Sequence, residues 1–307
     1  MITARRNITF ERARPLLPND SQITLLMAKL VRQRGDWQRS ESYFSEAKRL
    51  DPRNPQLFFP HADSLIYQRR FDEARRELEH VLNIIPDDKM TFVHEAGIAQ
   101  AQGDLKQAAA ILDPLPLSNS AVRNTRCYQS LLERSPARII PQIKEIFSTN
   151  NSMDSGDRGE TRFWLGWLEE VSGDHAAAVE NWRQARSELE PYLKEGPDHF
   201  LIAYLALLNA ALGDKTAAFN LAERGMSIVP VEKSALFGPM MIEVLARVAA
   251  LTGEHDRAIA SLQAVLDKPY AGPLAENTPI TSALLRLDPM FDSLRADPRF
   301  QRMIDSH

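Results

Sequence analysis

Residues 28–52 read AKLVRQRGDWQRSESYFSEAKRLDP. Gly35-Asp36-Trp37 stands between two stretches with helical spacing of small and apolar residues. Ala28 and Val31 precede the turn, Ser40, Phe44 and Ala47 follow it, and Pro52 closes the unit. Small residues at Ala28 and Ser40 let two helices approach, Trp37 and Phe44 fill the space between them, and Pro52 cannot continue the hydrogen-bond ladder. From Gly35 to Arg69 and from Arg69 to Gly103 the step is 34 each time. The packing positions recur as Ala62, Leu65, Phe71, Ala74, Leu78, Val81 and Pro86, then as Ala96, Ala99, Leu105, Ala108 and Leu112. Arg69 takes the place of the turn glycine. A fixed period of this length makes the chain a stack of helix pairs.

Run backward, the step maps Phe44 to Phe10, Ala47 to Ala13 and Pro52 to Pro18. The chain is thus expected to open inside a repeat, with only its second helix near residues 3–16, and with a further segment preceding it. Run forward, the period slips. One degenerate repeat, with helices near 121–133 and 137–147, separates Gly103 from a polar stretch. The glycine turns then resume at Gly173, Gly213 and Gly253, a step of 40. The expected organisation is an N-terminal array over 1–148, a polar hinge loop over 149–159, an array of longer helices over 160–277, and a C-terminal capping segment over 278–307. No stretch alternates at period two, so the fold class is all-α.

These residues resemble the tetratricopeptide repeat in the small residue, the Gly-Asp-aromatic turn, the alanine pair and the closing proline, over about residues 10–265. The resemblance implies a right-handed superhelical solenoid of stacked antiparallel helix pairs whose concave face is lined by the first helix of each pair. The tail, TPITSALLRLDPMFDSLRADPRFQ over 278–301, looks like the closing segment of repeat regions in large bacterial signalling proteins of the kinase, adenylate cyclase or winged-helix regulator type. It also reads physically: Asp288-Pro289 and Asp297-Pro298 are helix-start signals. Leu284, Leu285, Leu287, Phe291, Leu294, Phe300 and Ile304 form an apolar set expected to cover the end of the last repeat.

Composition excludes several functions. The net charge of -4 and pI near 6.0 leave no basic footprint for nucleic acid. The apolar run 200–212 is broken by Asn209 and is shorter than the ~20 residues a spanning helix needs. The first residues have no apolar core before Pro15 and do not read as a signal peptide; the expected location is the cytoplasm, with the periplasm as the alternative if a membrane helix lies upstream. Cys127 is the only cysteine, which precludes an internal disulfide and reads as a small buried apolar residue. The seven histidines show no metal-ligand spacing, and the paired acids Asp87-Asp88 and Glu169-Glu170 are neighbours that point apart on a helix. No nucleophile, metal site or cofactor motif emerges. Neither catalytic residues nor cofactors are expected.

The repeat register places Leu25, Lys29 and Arg32 on the inner face, then Phe59, Asp63, Ile66 and Tyr67, then Phe163, Trp167 and Glu170, then Ala203, Leu207, Glu243 and Arg247. Exposed groove aromatics are the usual anchors of an interface. Lys29, Arg32, Phe59, Asp63, Tyr67, Phe163, Trp167 and Glu170 are therefore the candidate partner-binding residues. The partner is a protein or peptide, and the function is a non-enzymatic interaction scaffold. The Lys and Asn clamp by which one subset of the resembled family holds a peptide carboxylate is absent, since its slots read Leu25, Lys29, Phe59 and Asp63. The alternative is a sensor that closes on a small molecule or peptide. An open groove of aromatics fits the first, and an enclosed pocket with convergent polar groups fits the second.

Overall fold

The structure, a computed structural model, describes residues 19–149, 153–194, 196 and 198–305. The expected half repeat near 3–16 lies outside them. The described residues contain helices and no strand.

Seven helix pairs follow one another. They are α1 (Ser21–Gln33) with α2 (Trp37–Leu50), α3 (Pro55–Tyr67) with α4 (Phe71–Ile84), α5 (Lys89–Gln102) with α6 (Leu105–Leu112), and α7 (Ser120–Leu132) with α8 (Ile140–Thr149). After these come α9 (Ser155–Ser172) with α10 (His175–Leu189), α11 (His199–Ala211) with α12 (Lys215–Ile228), and α13 (Gly238–Leu251) with α14 (His255–Val265). The tail adds α15 (Ser282–Leu287), a 3-10 turn over Pro289–Leu294, and α16 (Pro298–Asp305). Consecutive helices pack against each other and successive pairs stack, so the chain is an all-α solenoid.

The turn chemistry explains the repeat. Gly103 at φ 78° ends α5 in the left-handed region, where a side chain is strained. The next residue, Asp104, caps α6 by accepting from the Gln107 N–H. Asp36, Asp174 and Asp214 do the same for α2, α10 and α12. Gly-Asp is therefore a stop followed by a start. Two arginines share the left-handed slot, Arg69 at φ 58° and Arg134 at φ 55°. Arg134 is the turn of the degenerate repeat, ahead of a 3-10 turn at Pro136–Arg138 and then α8.

Two boundaries differ from expectation. Residues 150–152 of the polar stretch lie outside the described residues, while Ser155 to Gly159 form the first turn of α9. Asp154 caps that turn through the Asp157 N–H, so a sequence that reads as loop is a helix start. The second is α8, expected over 137–147 and found over Ile140–Thr149; it rests on α9 more than on its own partner.

The packing slots hold the core. Gly166 takes the small-residue position in α9, and a Cβ there would lie 2.4 Å from the Trp182 ring of α10. Gly166→Ala is expected to destabilise the protein by about 1–2 kcal/mol, overpacking outweighing the gain in helix propensity. Urea unfolding checks this; an unchanged or raised midpoint would contradict the close contact.

The tail does more than cover the last pair. Its apolar residues, Leu284, Leu285, Phe291, Leu294, Phe300 and Ile304, join one core with α7 and α9 to α14. The Ala271 N–H donates to the Leu236 carbonyl, the Tyr270 N–H to the Tyr67 carbonyl and the Ala235 N–H to the Gln33 carbonyl. The ends of α1 and α3 are thereby tied to the C-terminal half. Gly35 and Gly103 abut Ala235 and Ala283 at 3.0 and 3.3 Å, measured from an added Cβ, whereas Gly173, Gly213 and Gly253 face open space. The array is closed on itself through its N-terminal turns.

Candidate functional site

The inner helices α1, α3 and α5 bring the N-terminal candidates together. Arg32 donates to the Pro60 carbonyl at 2.9 Å, and its guanidinium lies over the Tyr67 ring at 5.2 Å. Tyr67 is 7% exposed; burial raises its phenol above the usual value. Asp63 pairs with His94 Nε2 at 3.0 Å, and the Phe59 ring meets the His94 ring edge-on at 4.5 Å. Burial would lower the His94 pKa, but the hydrogen bond and charge of Asp63 raise it to about 9. Burial and Arg32 lower the Lys29 ammonium, with Asp63 opposing them.

Arg32, Asp63 and Tyr67 are thus engaged within the protein. Lys29 and Phe59 are half-buried and line an open groove of about 450 Å³ with Leu25, Val81, Ile85 and Met90. Ile85 is 39% exposed. The groove runs along the starts of α1, α3 and α5.

The candidates on α9 sit elsewhere. Phe163 is 0% and Trp167 4% exposed. Phe163 packs edge-on against Tyr204 of α11, and Trp167 against Trp182 of α10. They belong to the core, as corrections to the expected groove anchors: successive pairs stack so closely that this helix face is covered by α10 and α11. Glu170 lies at the end of α9 and bonds His175 Nδ1 at 2.7 Å. Glu243 and Arg247 do face inward, and the tail occupies them. Tyr270 donates to Glu243 at 2.5 Å, and Arg247 donates to Asp288 at 2.6 Å.

A second cavity, half open to solvent and about 370 Å³ in volume, lies between α7, α9, α11 and the segment 273–277. Tyr128, Trp164, Phe200 and Tyr204 wall it, and Glu160, Asp198 and Glu276 carry its charge. Burial lifts the Glu160 carboxyl to about 6 and raises that of Glu276. These residues escaped the repeat register. Glu160 and Trp164 lie on α9 outside the positions the repeat register marks, and Glu276 comes from the segment 273–277. The one available signal was an acidic residue four before a tryptophan on an otherwise core-like helix.

Cys127 is fully buried, which pushes its thiol up to about 12. Among the described residues no three His, Cys, Asp or Glu side chains converge as metal ligands do, and no helix is long and apolar enough to cross a membrane.

A scan against protein-family models finds no match, and a search of curated proteins finds none either. Among solved structures the chain is similar to PilW, a widely conserved type IV pilus biogenesis factor, at 15% identity. That likeness covers 68% of this chain and 94% of that one, with a TM-score of 0.45. It is also similar to a tetratricopeptide repeat protein from Parabacteroides merdae ATCC 43184, at 15% identity, covering 80% of this chain and 91% of that one, with a TM-score of 0.47.

Proposed function

We propose that this chain is a non-enzymatic binding module that takes an extended segment of a partner protein in the groove between α1, α3 and α5. One observation carries the reading. Among the described residues this stretch lies open, with Phe59 and Lys29 presented over an apolar floor. An aromatic anchor beside a cation suits a peptide with an apolar side chain and a neighbouring acidic group. Its place in a bacterial regulatory protein is part of the same proposal, supported by the sequence of the tail.

The test is selection from a displayed peptide library. Selected peptides are expected to lose at least about tenfold in affinity with Phe59→Ala, a typical anchor effect. Glu170→Ala should leave binding unchanged. Peptides that bind Phe59→Ala as tightly as the parent would place the interface elsewhere.

A second reading, a sensor of a small ligand, is favoured by the half-open cavity between α7, α9 and α11, where polar groups converge among aromatic rings.

A further inference from the structure

We propose that the half-open cavity between α7, α9, α11 and the segment 273–277 binds an alkylammonium group, from a small aliphatic amine or a lysine side chain. The inference rests on the sensor reading and assigns the ligand its chemistry.

The geometry carries it. At about 370 Å³ the space admits a short aliphatic chain. Among the described residues its lining includes Glu160, Asp198 and Glu276 and no Lys, Arg or His. Four aromatic rings stand around these carboxylates, and the negative face of a ring attracts a cation more strongly than it does a neutral or anionic group. Tyr128 and Trp164 meet at 5.8 Å between centroids and form one wall.

The nearby cations are already committed. Arg123 is paired with Asp157, and His94 with Asp63. Glu276 receives one hydrogen bond from the Thr125 hydroxyl at 3.1 Å, and Glu160 one long contact of 3.4 Å from the Asn124 amide. The Asn124 carbonyl oxygen is buried without a donor. The lining holds three carboxylates and this amide oxygen against the indole N–H of Trp164, itself buried without a partner, so acceptors outnumber that donor, and an ammonium supplies three N–H groups. Burial raises both glutamates, as expected of carboxyls whose counter-charges are shared elsewhere.

The wall that carries Glu276 belongs to the chain's own tail. The Gly272 N–H donates to the Asn277 carbonyl and closes this loop, and a Cβ on Gly272 would fall 2.0 Å from the Thr278 carbonyl oxygen. The loop is a tight one, and it brings a carboxylate from the tail to face one from α9 across the same space.

Isothermal titration of the full chain tests this with four probes: 1,5-diaminopentane, an end-capped Gly-Lys-Gly peptide, 1,5-pentanediol and glutarate. The diamine or the peptide is expected to bind with a dissociation constant below about 1 mM, and the tighter of the two identifies the source. Glu160→Gln and Glu276→Gln, each confirmed folded by circular dichroism, should weaken binding by about tenfold or more, as loss of a desolvated charge partner does. Equal binding of diol and diamine, or affinity unchanged in both variants, would overturn the assignment of charge. Binding of glutarate or the diol alone, with a change in tryptophan fluorescence, would overturn the ammonium while leaving a ligand pocket in place. No binding by any of the four would remove the proposal and the sensor reading's support together.

Discussion

Asp288→Ala is expected to cost about 3–5 kcal/mol of stability, enough to leave a marginal domain largely unfolded. Asp288 is fully buried and accepts from Arg247 at 2.6 Å and from the Tyr128 hydroxyl at 2.8 Å. Its second oxygen caps the following 3-10 turn through the Met290 N–H at 2.9 Å. Removing it leaves Arg247, 1% exposed, with Glu243 alone, and strands the Tyr128 hydroxyl. Such breaks cost more than the intact pair contributes, because the survivor stays buried and charged. Urea unfolding measures the loss, and a change below about 1 kcal/mol would mean that the tail is not anchored by this network.

The second large effect is with pH. His94 sits against Asp63, Glu276 and the Met90 carbonyl, with Phe59 across its ring, and its folded pKa is raised to about 9. A raised folded pKa contributes stability that is fully present below the unfolded value of about 6.5 and is lost as pH rises through the folded value. Stability is therefore expected to fall between about pH 6.5 and 9 by on the order of 3 kcal/mol. His61 is also raised, by Glu41 and Glu77 working against burial, and adds to the same slope. Asp63→Asn isolates the His94 share, since its slope across this window should be markedly shallower. A slope identical to the parent's would show that His94 does not carry a proton in the folded state.

The helix pairs were legible because their signals are local. A left-handed residue must follow a helix, a carboxylate must cap the next, and small residues must stand where helices cross. Gly35-Asp36, Gly103-Asp104 and Gly166 meet these needs within a few residues of one another. Asp288 was legible in the same way, as a cap. Its second role as counter-ion to Arg247 was not, because the two lie 41 residues apart and nothing local couples them.

The inner face illustrates the same division. Glu243 and Arg247, which spacing directs inward, are buried at 1% exposure, and Lys29 and Phe59 line the groove at the starts of α1, α3 and α5. Spacing also marked Phe163 and Trp167 as anchors, although the stacking of α9 on α10 and α11 buries both. A helical wheel gives the direction of a side chain and says nothing of how closely the next repeat approaches.

Arg69 and Arg134 mark the boundary most plainly. By sequence Arg69 is an unexplained residue in a slot that favours glycine, and the structure adds Arg134 in the same conformation, where a left-handed side chain costs about 1–2 kcal/mol. In the folded chain Arg69 donates to the Lys268 and Ile280 carbonyls, and Arg134 grips both oxygens of Asp292. The strained turns point at the tail, and charge-assisted bonds to it offset the strain. The repeat, its turns and its caps were determined by the sequence alone, since each depends on contacts within a few residues. Closure of the array on its own tail, and with it the choice of which inner surfaces stay open, was decided only by tertiary structure, because it rests on pairs separated by as many as 211 residues.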